Sequence, residues 1–571
     1  MSEKIRIGDL LLKNEIISQE QLDEAIASQK KNGLKLGQAL IKLAFIKEDK
    51  LLEFLSKQLD LPVVDLRQHE FNRALIKQLP ETYARRFRAI PLSIKKNRML
   101  VGMSDPLDLD ARDQVEKALH QPYDIALVRE DDLLKALNIA YRRTDEISSY
   151  AEALHEELEE DDDDSIELSD LSDDASETDA PVIRLIQSIF EDAVQVGASD
   201  IHIEPGKNHL RIRLRVDGVS QEQVMKQVEI ASALAQRLKL MGGLNIAEKR
   251  LPQDGRFSIR VNDKHFDIRL STMPSAYGES VVMRLLEQSG KILTLEQIGM
   301  QKDMLKRFRH LINHPHGVIL VTGPTGSGKS TTLYAVLSEL DTKGKKIITI
   351  EDPIEYRMKD VVQVQVKPKI KLDFARVLRT TLRQDPDIVL VGEMRDEETA
   401  SIAMRAAMTG HLVLSTLHTN DAASTAIRLI DMGVEGFLVA SALVGVLAQR
   451  LVRKVCDSCA VDSEPDEKEK VFIEQAGLSV EDYEFKRGKG CSYCNKTGYK
   501  GRMGIFELLE ISPEMMVALR SDDSEQFSEL TKAALKKHML FDSGMKLVKQ
   551  GLTTISEVMR IAGADGESVN G

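Results

Sequence analysis

The sequence contains no tryptophan, and aromatic residues make up only 4% of its 571 positions. Proteins that bind single-stranded nucleic acids usually stack bases on aromatic rings within a basic groove. This chain has few aromatic rings and a formal net charge of −13. The composition therefore argues against a general nucleic-acid binder, and we expect no nucleic acid among its partners.

Long apolar runs are also missing. No run reaches the ~20 residues of a membrane-spanning helix, and the polar residues from Met1 to Arg6 do not resemble a secretory signal. Hydrophobic residues still make up 42% of the chain, which is enough for ordinary globular cores. We expect a cytoplasmic protein with several domains.

Cysteine is scarce, and its four residues form two C-x-x-C pairs. A large chain without a secretory signal is not expected to carry a disulfide framework. Two such pairs indicate a tetrahedral zinc site instead. Because four thiolates leave no open coordination position, we expect this Zn²⁺ to be structural. Its ligands would be Cys456, Cys459, Cys491 and Cys494.

A glycine-rich stretch follows the apolar run 317–322 and precedes a helical pattern at 330–340. Strand, loop and helix in this order form the context of a phosphate-binding P-loop. Glycines allow successive N–H groups to point at one anion, and the helix N-terminus favours negative charge. We expect Lys329 to contact the β- and γ-phosphates of ATP and Ser330 to help hold Mg²⁺. The predicted nucleotide contacts are Gly323, Pro324, Thr325, Gly326, Ser327, Gly328, Lys329, Ser330 and Thr331.

Polar residues directly follow three further apolar runs: 347–350, 388–392 and 412–417. Carboxylates near a phosphate site are costly unless they serve a metal ion or a water molecule. Glu355 and Glu393 are therefore candidate catalytic residues. His418 considered alone would be a structural histidine, but at the end of such a strand it is a candidate γ-phosphate sensor.

Between residues 180 and 300 the pattern changes to alternating strands that are rich in arginine. Alternation places one set of arginine side chains on a solvent-facing sheet surface. This surface is either a solvated basic face or a source of arginine fingers directed at a nucleotide. Residues 252–256 predict a turn that leads into the strand 257–261. The candidate arginines are Arg215, Arg256, Arg269 and Arg284.

The N-terminal stretch contains a repeat, in which Arg6-Ile7-Gly8 returns as Lys35-Leu36-Gly37 and the copies close with Gln29 and Gln58. Each copy predicts a short helix, a turn and a longer helix. Ser18 and Gln21 predict a capping box for the longer helix of the first copy.

A region of mixed strands and helices follows at residues 62–141, with neighbouring strands predicted at 89–94 and 98–103 and a helix at 110–119. Residues 146–179 are dense in Asp, Glu and Ser. Such a tract cannot bury enough apolar surface to offset chain entropy. We expect an extended acidic linker there.

Three segments resemble the aspartate box, the atypical Walker B box and the histidine box of the type II/IV secretion ATPase family: 349–356, 392–396 and 410–420. The resemblance implies an α/β, RecA-like P-loop ATPase core at 301–571 with a zinc module at about 456–500. A PAS-like α+β domain at 180–300 would precede it, and the four candidate arginines match arginines that the family has in this domain. Glu355 would polarise the attacking water, and Glu393 would support Mg²⁺ or that water. Members of the family form homohexamers that work on an inner-membrane platform protein.

The repeat resembles the paired motifs of the cyclic di-GMP-binding N-terminal domain of MSHA-type pilus extension ATPases, which would span residues 1–145 here. A basic residue can stack on guanine, and a nearby glycine lets the backbone approach the ligand. The implied contacts are Arg6, Gly8, Gln29, Lys35, Gly37 and Gln58. The alternative is a duplicated helical hairpin that serves as a docking module for a membrane partner.

Three functions are compatible with these patterns. The first is a hexameric motor, peripheral to the inner membrane, that drives assembly of an MSHA-type type IV pilus under the control of cyclic di-GMP. The second is a type II secretion ATPase that assembles a pseudopilus without that control. The third and most distant is a nucleic-acid motor. Retraction ATPases of the family typically lack the zinc module, so its presence favours assembly.

Overall fold

The computed structural model describes residues 11–12, 14, 16–32, 36–43, 45–46, 48–67, 69–95, 98–141, 147, 150–154, 180–261, 264–288, 292–340, 342–536 and 538–562. The chain forms two compact units. Residues 1–145 with the short segment 490–497 belong to the first unit, and residues 146–489 with 498–571 belong to the second.

The first unit begins with the repeat region, whose helices are α1 (Gln19–Asn32), α2 (Leu36–Lys42) and α3 (Glu48–Leu59). In the second copy, the short α2 and the longer α3 confirm the predicted pattern. In the first copy, Ser18 and Gln21 form the predicted capping box. The N–H of Ser18 donates to Gln21 Oε1 (3.0 Å), and the N–H of Gln21 donates to Ser18 Oγ (3.2 Å).

An α/β layer completes the main part of the first unit. Its elements are α4 (Arg73–Ile76), α5 (Glu81–Phe87), β1 (Ala89–Lys95), β2 (Arg98–Met103), α6 (Leu109–Leu119), β3 (Tyr123–Leu127) and α7 (Glu130–Ala140). The predicted neighbours β1 and β2 pair antiparallel, and β3 adds a parallel strand. The predicted helix α6 begins after Asp108, whose carboxylate accepts from the N–H of Ala111 (3.0 Å). Strands and helices share one apolar core.

The second unit contains an arginine-rich antiparallel sheet with the strand order β6-β5-β4-β9-β8-β7. Its elements are α8 (Ala180–Val196), β4 (Ala198–Pro205), β5 (Leu210–Val216), β6 (Val219–Met225), α9 (Ile230–Met241), β7 (Gln253–Val261), β8 (Lys264–Ser275) and β9 (Gly278–Glu287). Alternate residues along β5 are buried, and α8 and α9 share their core. We call this part the arginine-sheet layer. Ile147, Ala151 and Leu154 are buried in the same core, so the extended linker expected at 146–179 is wrong at its start, and residues 155–179 lie outside the described residues.

The turn expected at 252–256 is wrong for most of its length, because β7 already begins at Gln253. Gly255 pairs with Leu270, and Arg256 pairs with Arg269 on β8. Ladder pairing with a distant strand outweighs the local turn preference of Asp and Gly, and this pairing is not visible in the local sequence.

The motor part of the second unit contains a seven-stranded sheet with the order β12-β11-β13-β14-β10-β15-β18. Its strands up to β15 are parallel to their neighbours, and β18 is antiparallel to β15. The elements through β15 are α10 (Lys302–Ile312), β10 (Gly317–Thr322), α11 (Lys329–Glu339), β11 (Ile347–Glu351), β12 (Val362–Gln365), α12 (Phe374–Thr381), β13 (Ile388–Val391), α13 (Glu397–Met408), β14 (Leu412–Leu417), α14 (Ala423–Asp431), α15 (Gly436–Ala442) and β15 (Leu443–Val455). This is the α/β, RecA-like P-loop architecture expected from the sequence.

Small elements and helices complete the motor: β16 (Ala460–Asp462), α16 (Glu467–Gln475), β17 (Lys486–Gly488), β18 (Tyr499–Glu510), α17 (Pro513–Arg520), α18 (Ser524–Leu535), α19 (Leu540–Lys549) and α20 (Ile555–Ala562). Strand β10 shows how the sheet is enclosed. Val318 and Leu320 point into the core on one face, and Ile319 and Val321 point into the core on the other. A strand that is buried on both faces reads as a continuous apolar run, as the sequence does here.

The sheet order decides where the candidate site lies. The strands β11, β13, β14 and β10 are consecutive neighbours in the sheet and run parallel. The carboxyl ends of parallel strands meet at one edge of a sheet. The residues that follow these four strands, including the P-loop, Glu355, Glu393 and His418, therefore lie along the same edge.

Candidate functional site

The P-loop connects β10 to α11, and its backbone requires glycine. Gly323, Gly326 and Gly328 have φ values of 144°, 79° and 91°. A Cβ added at Gly323 would lie 2.4 Å from the carbonyl oxygen of Gln449. Gln449 itself, on β15, donates to the carbonyl of Ser327 (2.7 Å) and accepts from the hydroxyl of Thr332 (2.7 Å). The loop is therefore a shaped backbone cradle that fits a phosphate group, with a neighbouring strand fixing its position.

Lys329 is the first residue of α11, and Ser330 follows it on an exposed position. The amino group of Lys329 donates to the carbonyls of Gly323 (2.7 Å) and Pro324 (3.1 Å). Burial disfavours its charged form and lowers the pKa of Lys329 to about 8. A desolvated cation beside a glycine cradle provides the charge that a bound polyphosphate requires.

Of the predicted residues, His418 lies next to Lys329, and Glu393 lies next to His418. His418 Nδ1 is 3.4 Å from Lys329 Nζ, and His418 Nε2 is 3.5 Å from Glu393 Oε2. The other carboxylate oxygen of Glu393 contacts Arg395 Nη2 at 2.5 Å. Sequence reasoning missed Arg395, although it lies only two positions after Glu393. The three predicted residues thus form a continuous polar chain at the sheet edge.

Glu355 and Arg269 come together across the second unit. Arg269 Nη2 on β8 donates to Glu355 Oε2 at 2.5 Å, and each side chain is about one-quarter exposed, with values of 25% and 26%. The arginine-sheet layer therefore reaches the carboxylate that follows β11. The sequence named both residues but could not show which of the four arginines meets Glu355.

The four predicted arginines lie in one row across the sheet. Arg256 is paired with Arg269, and Arg269 is paired with Arg284. Arg284 is paired with Asp200 on β4, which is also paired with Arg215 on β5. Residues directly opposite on adjacent strands share a face and interact. One face of this sheet thus carries four cations and one carboxylate in register.

Asp200 holds two of these cations. Arg284 Nε donates to Asp200 Oδ1 at 2.9 Å, and Arg215 Nε lies 3.8 Å from Asp200 Oδ2. Burial would raise the pKa of Asp200, but hydrogen bonds from Arg284 and Ser199 outweigh it and hold that pKa below its ordinary value. Sequence reasoning assigned no role to Asp200, because its cross-strand partners are distant in sequence.

The four cysteines form a cluster in which every pair of Sγ atoms lies within 4.8 Å, and Cys491 and Cys494 are 3.8 Å apart. Four thiolates at the usual Zn–S bond length of about 2.3 Å would have sulfurs roughly 3.8 Å apart. The strand β16, which follows the first cysteine pair, is paired with β17, which precedes the second pair. The cysteine set fits one tetrahedral Zn²⁺.

The residues implied by the cyclic di-GMP resemblance are described only in part. Arg6, Gly8 and Lys35 lie outside the described residues. Gln29 is half-buried and Gln58 is exposed. Gly37 lines a cavity of about 570 Å³ within the first unit, together with Arg86, Arg88 and other residues.

Two family models match this chain. The model described as "Type II/IV secretion system protein" matches residues 175–560, and the MshEN domain matches residues 59–147. Among the described residues, the helices all fall short of the length and apolar content that crossing a membrane requires.

The chain is also similar to named proteins. The type II secretion system ATPase E of Vibrio cholerae is 42% identical over 86% of this chain and 97% of that protein. The type IV pilus assembly ATPase PilB of Myxococcus xanthus is 38% identical over 97% of this chain and 98% of that protein. A solved structure, "Structure of MshE with cdg", is 36% identical, covers 24% of this chain and 99% of its own, and has a TM-score of 0.23.

Proposed function

The chain belongs to the type II/IV secretion system protein family and is an ATPase, and we propose that it is a hexameric motor that drives assembly of an MSHA-type type IV pilus. The observation that carries the hydrolytic part is the 2.5 Å contact between Arg269 and Glu355. This contact supports a nucleotide site shared by the arginine-sheet layer and the motor sheet. Motion between two such parts is what a mechanical ATPase needs.

Hydrolysis in this proposal depends mainly on positioning and electrostatics. The P-loop backbone and Lys329 bind the phosphates, and Ser330 would help hold Mg²⁺. When bound there, Mg²⁺ would offset negative charge on the phosphates of ATP. Glu355 orients and polarises the attacking water, and Glu393 would hold the metal ion or that water. His418, between Lys329 and Glu393, senses the γ-phosphate.

The arginine row provides the cations that would stabilise developing negative charge. Arg269 is the first candidate, because it already reaches the catalytic edge of the motor sheet. Arg215 and Arg284 are tied to Asp200, and Arg256 is exposed at the end of the row. The last three would act after rearrangement or on a neighbouring subunit of the homohexamer.

Turnover measurements test the catalytic assignment. Lys329→Ala and Glu393→Ala should each abolish steady-state ATP hydrolysis. The first variant lacks the cation that contacts the phosphates, and the second lacks the carboxylate that would hold the metal ion or the water. Lys306→Ala, an exposed basic residue on α10 and outside this set, serves as a control for loss of surface charge. A variant at Lys329 or Glu393 that keeps wild-type kcat would contradict the mechanism.

We also propose that cyclic di-GMP regulates the motor through the repeat. The MshEN match at residues 59–147 and the paired motifs that precede it support this proposal. A calorimetric titration of the full-length protein with cyclic di-GMP should show binding that Arg6→Ala abolishes. Lys4→Ala, just outside the first motif, is the control and should bind normally.

The second candidate is a type II secretion ATPase that assembles a pseudopilus, favoured by the similarity to the Vibrio cholerae protein. If the titration shows no binding of cyclic di-GMP, the protein would be assigned as a type II secretion ATPase, and the repeat would be a docking module. Either motor would lie in the cytoplasm, peripheral to the inner membrane, against a platform protein. DNA-stimulated hydrolysis would instead revive a nucleic-acid motor.

A further inference from the structure

A buried tyrosine lies between the P-loop helix and the segment that carries Glu355. Tyr334 is five positions after Lys329 on α11, and its side chain is buried. Its ring packs edge-on against Tyr356, with centroids 5.4 Å apart and an interplanar angle of 86°. The ring therefore joins the phosphate-binding helix to the residue that directly follows Glu355.

The hydroxyl of Tyr334 uses all of its hydrogen-bonding capacity. It donates to Glu351 Oε2 (2.5 Å) and accepts from the N–H groups of Glu355 (3.2 Å) and Tyr356 (3.2 Å). A phenol has one donor and two acceptor lone pairs. Burial raises the pKa of Tyr334, and the neighbouring Glu351 raises it further. The hydroxyl therefore keeps the proton that it donates.

Glu351 is fixed independently of Tyr334. This buried last residue of β11 accepts at Oε1 from the hydroxyl of Thr349 (2.5 Å) and from Gln363 Nε2 (3.1 Å). A buried carboxylate with several donors is rigid and costly to disturb. It anchors the Tyr334 hydroxyl to the motor sheet.

Gln363 on β12 holds the same segment from its other side. Its Nε2 donates to the carbonyl of Tyr356 (2.9 Å), and its Oε1 accepts from the N–H of Met358 (2.8 Å). Residues 353–358 lie outside any helix or strand. Side chains from α11 and β12 therefore supply hydrogen bonds that set the path of the backbone around Glu355.

We propose that Tyr334, with Gln363, is a positioning residue for ATP hydrolysis that sets the backbone of Glu355 relative to the P-loop helix. The proposal rests on the role of Glu355 given above. In this proposal Tyr334 contacts neither the nucleotide nor the attacking water. It acts only through the placement of the Glu355 carboxylate, where an error of about 1 Å can cost roughly 100-fold in rate.

The test is Tyr334→Phe in the full-length protein, which keeps the ring and removes only the hydroxyl. We expect kcat to fall by about 10-fold or more, with KM for ATP and the affinity for a non-hydrolysable ATP analogue within about twofold of wild type. Tyr499→Phe is the matched control, because it removes a hydroxyl that hydrogen-bonds Thr554 (2.8 Å) far along the chain. It should leave kcat unchanged.

Two results would overturn the proposal. One is a kcat for Tyr334→Phe within twofold of wild type. The other is a loss of analogue affinity as large as the loss in kcat, which would assign Tyr334 to P-loop packing. If Tyr334→Phe does not fold, Gln363→Met is the second variant. This substitution removes the hydrogen bonds of Gln363 to Tyr356 and Met358. It should lower kcat without changing KM for ATP or the affinity for the analogue. An unchanged kcat would count against the proposal.

A Glu355→Gln variant separates this proposal from the catalytic assignment on which it rests. Wild-type turnover in Glu355→Gln would show that the role of Glu355 is wrong, whatever Tyr334→Phe does. An inactive Glu355→Gln together with a fully active Tyr334→Phe would leave the catalytic role in place and remove only the positioning role.

Discussion

Lys329 shows how burial tunes a single charge in this protein. Its amino group is satisfied by two P-loop carbonyls, and its pKa is lowered to about 8 mainly by desolvation. A phosphate group interacts favourably only with the protonated form. In the proposed site, binding of ATP would therefore be coupled to uptake of a proton whenever the pH exceeds the pKa of Lys329 in the free protein.

The coupling predicts a pH dependence of ATP affinity. Between pH 6 and 7.5 the affinity should be nearly constant, and above pH 8 it should fall by up to about tenfold per pH unit, since one proton must be taken up. Calorimetry or fluorescence with a non-hydrolysable analogue measures it. Lys329→Arg stays charged over this range and should flatten the curve. An equally steep fall in that variant would assign the effect to another group.

Several residues of the site could be named from their immediate neighbours. Lys329 and Ser330 follow from the glycine pattern, and Glu393 and His418 follow from the ends of apolar runs. Asp200 and Tyr334 could not be found in this way. Their partners lie on other strands or helices, and nothing in the flanking sequence distinguishes them from ordinary polar or aromatic residues.

At the scale of elements, the arginine row depends on strand register. A slip of one residue between β8 and β9 would move Arg284 to the opposite face from Arg269, because side chains alternate along a strand. The sequence predicted the strands and their arginines, but register is set by pairing over the whole sheet. This explains why four candidates could be named without knowing that they form one row.

Strand pairing also fixes the segments that flank the cysteine pairs. The strands β15 and β18 bring Val455 opposite Tyr499, and β16 pairs with β17. We predict about one Zn²⁺ per chain in freshly purified protein, because two cysteine pairs make one tetrahedral set. Elemental analysis measures the zinc content, and removal of the ion with a strong chelator should lower the melting temperature of the protein.

Substitution of single ligands tests the same site. Cys456→Ser should lose zinc and melt at a lower temperature, whereas Ser458→Ala, in the same knuckle, should keep both properties. Protein that contains no zinc when freshly purified, and that melts at the same temperature with and without chelator, would refute the metal site.

At the scale of the whole molecule, the proposed motor must assemble. We predict that the full-length protein with a non-hydrolysable ATP analogue sediments with about six times the 63.9 kDa mass of one chain. We also expect kcat per chain to rise with protein concentration, because arginines that do not reach Glu355 in one chain would act on a neighbour. A monomer whose kcat is independent of concentration would contradict the hexamer.

The amino-acid sequence by itself determined the P-loop, the strands that are followed by Glu355, Glu393 and His418, and the paired cysteines. These features are local, because they depend on residue types at short spacing and on the period of hydrophobic burial. Only the tertiary structure decided that Arg269 meets Glu355, 86 positions away, and that Tyr334 spans α11 and the segment after β11. Such contacts depend on strand register and side-chain packing between distant parts of the chain, which no short stretch of sequence encodes.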